Sequence, residues 1–122
     1  MNFVEAIKSG FSNYVNFSSR AIRSEYWYWT LFVILVIIAT SLIDLAIAPG
    51  SSVQPLTTIA ELAMLLPGLA VTVRRLHDTD RSGWWILLGF IPLIGAIVLL
   101  VWFCSRGTIG ANRFGPDPLG GV

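Results

Sequence analysis

The sequence predicts an all-α membrane protein: three transmembrane helices preceded by an N-terminal amphipathic interfacial helix. Three observations lead there. Of 122 residues, 55% are hydrophobic and only 12% are charged, whereas an ordinary soluble domain carries about 25% charged residues. The charges are also segregated, because residues 26–73 and 82–105 hold just 2 of the 15, Asp44 and Glu61. Those depleted stretches are long enough to cross a hydrocarbon core of ~30 Å. A soluble globule needs polar residues along every element to face water, and here they are missing. The chain from 1 to 122 reads as a single polytopic domain.

The first element is an amphipathic helix over residues 2–16. Phe3, Ile7, Phe11 and Tyr14 recur at helical spacing, flanked by Val4 and Val15, while Asn2, Glu5, Ser9, Ser12, Asn13 and Asn16 fill the remainder. Lying directly before a spanning segment, such a helix is expected in the headgroup plane. The alternative is that it packs on a partner or on the loops. The N-terminus does not read as a cleavable signal, since its first long apolar run begins at Tyr26 and outlasts a signal core.

The first span is Tyr26 to Ala48, ~34 Å as a helix. It opens on Tyr26, Trp27, Tyr28 and Trp29, rings that favour the water–lipid boundary. Pro49-Gly50 ends it. The second span, residues 56–73, is ~27 Å long and near the lower limit. Pro67-Gly68 predicts a kink there, tolerated where neighbours satisfy the freed carbonyl. The third span, residues 83–104, is uncharged, opens on Trp84-Trp85 and carries Gly89, Pro92 and Gly95 near its middle. A kinked full crossing is the simpler expectation, with a re-entrant segment as the competitor. The tail, residues 105–122, is rich in glycine and proline. It predicts a succession of turns packed as a plug on the bundle end, with a ligand loop as the alternative.

Orientation follows from the cations. Lys8, Arg20 and Arg23 precede span one, and Arg74, Arg75 and Arg81 fall between spans two and three. That side, with the N-terminus, is expected to be cytoplasmic. Three full spans leave Arg106 and Arg113 outside, a six-to-two split. A re-entrant third segment gives eight to zero.

Three stretches then stand out: Phe17-Ser18-Ser19-Arg20-Ala21-Ile22-Arg23-Ser24-Glu25-Tyr26-Trp27; Arg74-Arg75-Leu76-His77-Asp78-Thr79-Asp80-Arg81-Ser82-Gly83-Trp84-Trp85; and Gly107-Thr108-Ile109-Gly110-Ala111-Asn112-Arg113-Phe114-Gly115-Pro116-Asp117-Pro118. Together they resemble the small bacterial inner-membrane proteins catalogued as domain of unknown function 805, over nearly the whole chain. Ser19 departs from the glycine that commonly precedes the first arginine in that family. The resemblance implies a bacterial inner (plasma) membrane and a compact helical bundle. It implies no activity.

The residues themselves support several chemistries. Arg20, Arg23, Arg74, Arg75 and Arg81 form either a charge-balanced anchor for helix ends or a site for anionic phospholipid, since arginine presents forked donors to phosphate. His77, Asp78 and Asp80, with Arg106, Asn112 and Arg113, read as a structural motif. One histidine and one cysteine, Cys104, offer no ligand-spaced metal set and no internal disulfide. No nucleophile–base pair and no phosphate-cradling loop emerge, so no catalytic site and no cofactor are expected. The eight cations are split among separate clusters, which excludes a nucleic-acid-binding stripe.

Asp44 and Glu61 form a candidate intramembrane acidic pair. In antiparallel spans both fall near the outer face, roughly 6–8 Å inside the helix ends. Ionisable groups at that depth are functional candidates or simply reach the wet interface. Arg106 reaches them if the third segment crosses fully. The leading function is therefore non-enzymatic, acting through lipids, a membrane-protein partner or self-association as a homo-oligomer. The alternative is an oligomeric proton- or solute-coupled transporter or channel lined by Asp44 and Glu61. A lipid-processing enzyme using residues 74–81 is a weaker third.

Overall fold

A computed structural model describes residues 2–119; the tail's last residues, 120–122, lie outside the described residues. Four α-helices and one 3-10 helix make up the described part, with no strand beyond an isolated Asn112–Gly115 bridge. Helix α1 is Phe3–Ser12. Asn2 caps it through a reciprocal box: its side chain accepts from the Glu5 amide at 2.8 Å, and Glu5 accepts from the Asn2 amide. The helix stops four residues earlier than the apolar spacing predicts, because the Asn13 side chain turns back on the Ser9 carbonyl. Its aromatic stripe faces protein. Phe3 meets Tyr28 and Phe32, and Phe11 meets Trp29 and Phe32. Gly10 lies flat on the Trp29 ring, where any Cβ would collide.

Among the described residues, helices α2, Arg23–Ile47, and α3, Pro55–Asp78, are the two long and apolar enough to cross a membrane. They run antiparallel, tied by Arg74 to Glu25 at one end and by Ser41 to Thr57 at the other. Pro67 lies inside α3. Lacking an N–H, it leaves the Ala63 carbonyl without its helical partner. The hydroxyl of Tyr14 donates to that carbonyl at 2.7 Å. The freed group is thus satisfied from the segment after α1.

One boundary corrects the sequence reading. Helix α3 continues to Asp78, so Arg74, Arg75, His77 and Asp78 belong to its last turns rather than to a connection. The stop comes at Asp80, which adopts φ 59°. The Asp80 amide returns to the His77 carbonyl and the Arg81 amide to that of Leu76, a Schellman closure.

The larger correction concerns residues 83–104, which do not form a single kinked span. They fold as a 3-10 helix, Gly83–Phe90, followed by helix α4, Ile94–Cys104. At ~2 Å per residue in the first arm and 1.5 Å in the second, both arms are ~16 Å long. The chain therefore returns to the level where it began. Trp85 and Trp102 meet edge to face at 5.7 Å, and the Arg81 guanidinium lies 4.0 Å from the Trp102 ring centroid. Leu93 makes the reversal at φ 63°, and Gly95 fits against the Leu88 backbone carbonyl where a Cβ could not. The tip is bare: Phe90 is 81% exposed and Leu93 77%.

Candidate functional site

The ends of α3 and α4, the start of α2 and the tail all meet at Asp78. This carboxylate is 1% exposed. Its Oδ1 accepts from Arg20 Nε at 3.0 Å and its Oδ2 from Arg75 Nη1 at 2.8 Å. Two buried guanidinium groups thus share one buried carboxylate, and the rest of their donors must find carbonyls.

They find different ones. Arg75 donates to the carbonyls of Phe103 at 3.1 Å, Trp102 at 3.3 Å and Ser105, and reaches Ala21 at 3.5 Å. Arg23 takes Cys104 at 3.2 Å, and the Trp27 indole takes Phe103 at 3.1 Å. The last carbonyls of an α-helix have no partner within it and carry partial negative charge. Here side chains of α2 and α3 cap every carbonyl from Trp102 to Ser105.

Arg20 holds the tail. It donates to the carbonyls of Gly110 at 2.8 Å, Thr108 at 2.6 Å and Gly115 at 3.3 Å. The Thr108 amide donates to the Asp78 carbonyl, and the Asn112 side chain donates to that of His77 at 3.0 Å. Gly107 is pressed against Asp78 so closely that a Cβ would overlap its carboxylate. The tail is therefore a plug on the bundle end, as its turn residues predict. It caps the end of α3, beside the N-terminus of α2.

The five candidate arginines divide into two groups. Arg20, Arg74 and Arg75 are buried, so they face protein rather than headgroups. Arg23 is exposed and Arg81 half-buried. Arg74 pairs with Glu25 at 2.6 Å, and its Nε and Nη2 are buried without a partner. Sequence reasoning missed this pair, whose members lie 49 residues apart. Asp80 pairs with Arg113 at 3.3 Å. Arg106 pairs with Asp117 at 3.6 Å, which overturns its expected contact with Asp44 or Glu61. The returning hairpin carries Arg106 to the opposite end of α2.

Asp44 and Glu61 have different surroundings. Asp44 is buried and accepts from the amides of Leu56 at 3.2 Å and Thr57 at 2.9 Å, and from the Thr57 hydroxyl at 2.9 Å. Gln54, the residue at the start of α3, makes no side-chain cap. A carboxylate from the end of α2 thus caps the N-terminus of α3 from outside, where the helix dipole favours it. Glu61 is exposed on α3, with no hydrogen bond or ion pair among the described residues. No group of three His, Cys, Asp or Glu that could hold a metal gathers among the described residues.

Two membrane-length apolar helices, locked at one end by buried arginine–carboxylate contacts and covered by a turn-rich plug, define a small helical membrane protein. The chain belongs to the family described as "Protein of unknown function (DUF805)", which matches residues 14–116. That match runs from Tyr14 through the tail carbonyl of Gly115, and so spans the Asp78 network. The chain is 52% identical over 106 residues to Inner membrane protein YhaI of Escherichia coli strain K12, covering 87% of this chain and 88% of that one. It is 48% identical over 110 residues to Inner membrane protein YhaH of the same strain, covering 87% and 89%. The Uncharacterized protein YiiR of that strain is 26% identical over 133 residues, covering 84% and 85%. No solved structure matches the chain.

Proposed function

We propose that the protein is a non-enzymatic, architectural component of the bacterial inner membrane that acts on the lipids of one leaflet. Helices α2 and α3 cross the bilayer. Residues 83–104 enter the cytoplasmic leaflet and return, and both termini face the cytoplasm. The observation that carries this reading is the closed return at Trp85 and Trp102 combined with the bare apolar tip at Phe90 and Leu93. An arm of ~16 Å matches half of a ~30 Å hydrocarbon core. The arrangement also gathers all eight cations on one side, as the positive-inside rule favours.

A cross-section follows from it. The cytoplasmic leaflet holds the two spans, the hairpin and α1, which packs along α2, while the outer leaflet holds α2 and α3 alone. Such a wedge spreads the lipids of one leaflet more than those of the other. Exposed Arg23 and Arg113 and half-buried Arg81 supply anionic lipid contacts at the same level. The test is depth. A nitroxide on Leu93→Cys, in a Cys104→Ser background, should report contact with the bilayer centre by collision with dissolved oxygen. Contact instead with a water-soluble relaxation agent on the outer side would refute the hairpin.

A second reading, self-association into a proton- or solute-coupled path, is favoured by one feature. Glu61 stands exposed among apolar neighbours, Ile59, Leu62 and Leu65, where only a second copy or water can receive a charge.

A further inference from the structure

His77 carries a polar atom that the Asp78 network does not use. Its Nδ1 lies 3.0 Å from the Ser19 carbonyl. A carbonyl only accepts, so Nδ1 holds the hydrogen, and in the neutral ring Nε2 is left as an acceptor. The Ser18 backbone also lies beside the ring, while Nε2 makes no hydrogen bond of normal geometry among the described residues and is not sealed from a visitor. The ring as a whole is fixed: it is stacked on Phe114 at 3.8 Å with the planes nearly parallel, and His77 is 6% exposed.

The same ring lines a crevice of about 450 Å³ between the end of α3, the 3-10 arm and the tail. Phe17, Val73, Trp84, Leu87 and Phe114 form its apolar wall. Besides His77, its hydrogen-bonding side chains are Ser82 and the indole N–H of Trp84. The Ser82 Oγ accepts from the Trp84 amide at 3.1 Å, which leaves its O–H to donate. Of the nearby cations, Arg81 lies over Trp102, and Arg113 pairs with Asp80 while resting 4.8 Å from the centroid of the Phe114 ring. No cationic side chain lines the crevice among the described residues.

The geometry points to a binding site for a neutral amphiphile that presents a hydroxyl group. The hydroxyl donates to Nε2 of His77 and accepts from Ser82, while the apolar body lies along Phe17, Val73, Trp84 and Leu87. An apolar pocket with a few convergent polar groups is the usual form of a small-molecule site. A lipid alcohol and a membrane-soluble quinol share this chemistry. The inference goes beyond the architectural reading and requires only that the tail packs on α3.

The chain has one histidine, so isotope-labelled histidine gives a single imidazole pair in the nuclear magnetic resonance spectrum of the protein in phosphatidylcholine nanodiscs. Dioctanoylglycerol is titrated in one arm and an alkyl hydroquinone in the other. At least one should move the Nε2 resonance saturably with Nδ1 nearly unchanged, and the responding arm names the source. The corresponding alkane should not move it. Leu87→Trp, at an exposed rim position, should fill the crevice and abolish the response, and Ser82→Ala should weaken affinity about fivefold. The proposal is overturned if neither probe saturates, or if the Leu87→Trp protein titrates like the unmodified one.

Discussion

The hydroxyl of Tyr14 donates to the carbonyl of Ala63, 49 residues away, at 2.7 Å. Ala63 is the residue whose carbonyl Pro67 deprives of an N–H partner, so this bond repairs the interruption in α3. Tyr14→Phe keeps the ring and removes only the donor. It should cost about 1–2 kcal/mol of stability, the cost of an unsatisfied carbonyl away from water. Combining it with Pro67→Ala provides the check by thermal unfolding in detergent. Once residue 67 supplies its own N–H, the effect of Tyr14→Phe should largely vanish.

Among the described residues, Asp78 is the only carboxylate that pairs with Arg20 or with Arg75. Asp78→Asn leaves two buried guanidinium groups facing a neutral amide. Removing one partner of a buried ion pair costs about 3–5 kcal/mol, enough to threaten a small bundle. The expected outcome is a sharp loss of folded yield and faster proteolysis across residues 107–119. Glu25→Gln should act similarly on α2 through Arg74, while the exposed pair Asp80–Arg113 should tolerate neutralisation.

Asp44→Ala should lower the melting temperature by uncapping α3, and Asp44→Asn should recover much of that loss because its amide oxygen still accepts. Glu61→Gln should leave melting unchanged. The two acids therefore separate stability from any transport role. If α3 lines a proton path in an oligomer, Glu61→Gln abolishes flux in proteoliposomes while the protein stays folded; unchanged flux removes Glu61 from any such path.

Much of this architecture was legible in the residues. The two long apolar runs, the proline inside the second and the turn-rich plug each follow from local chemistry that tertiary context did not override. The hairpin did not follow, because 22 uncharged residues satisfy the length rule for a span whichever way they fold. The signal against a crossing was Gly89, Pro92 and Gly95 evenly placed about the middle, together with the eight-to-zero charge split that a return permits. The arginines misled for a different reason. A run of Arg74-Arg75 beside an apolar segment looks like a headgroup anchor, and nothing local reveals that Glu25 and the carbonyls of residues 102–105 converge on it from distant parts of the chain.

Lipid contact should accordingly depend on the exposed cations and not the buried ones. Each juxtamembrane charge contributes about 1 kcal/mol of attraction to an anionic surface. Replacing Arg23, Arg81 and Arg113 with Gln should markedly reduce co-purified anionic lipid, quantified by mass spectrometry, without unfolding the protein. Lipid content equal to that of the unmodified protein would assign these arginines to helix-end anchoring alone.

The side of the tail tests the central claim most directly. Reporters active on only one side of the membrane, fused before residue 1 and after Val122, read both ends of the chain in the same cells. Two spans with a returning hairpin predict cytoplasmic activity at both ends, with Arg106 and Arg113 beside Arg20. A cytoplasmic N-terminus with a tail active on the outer side would contradict the account, because the contacts of Arg20, Arg75 and Asp78 with the tail and α4 could not then form.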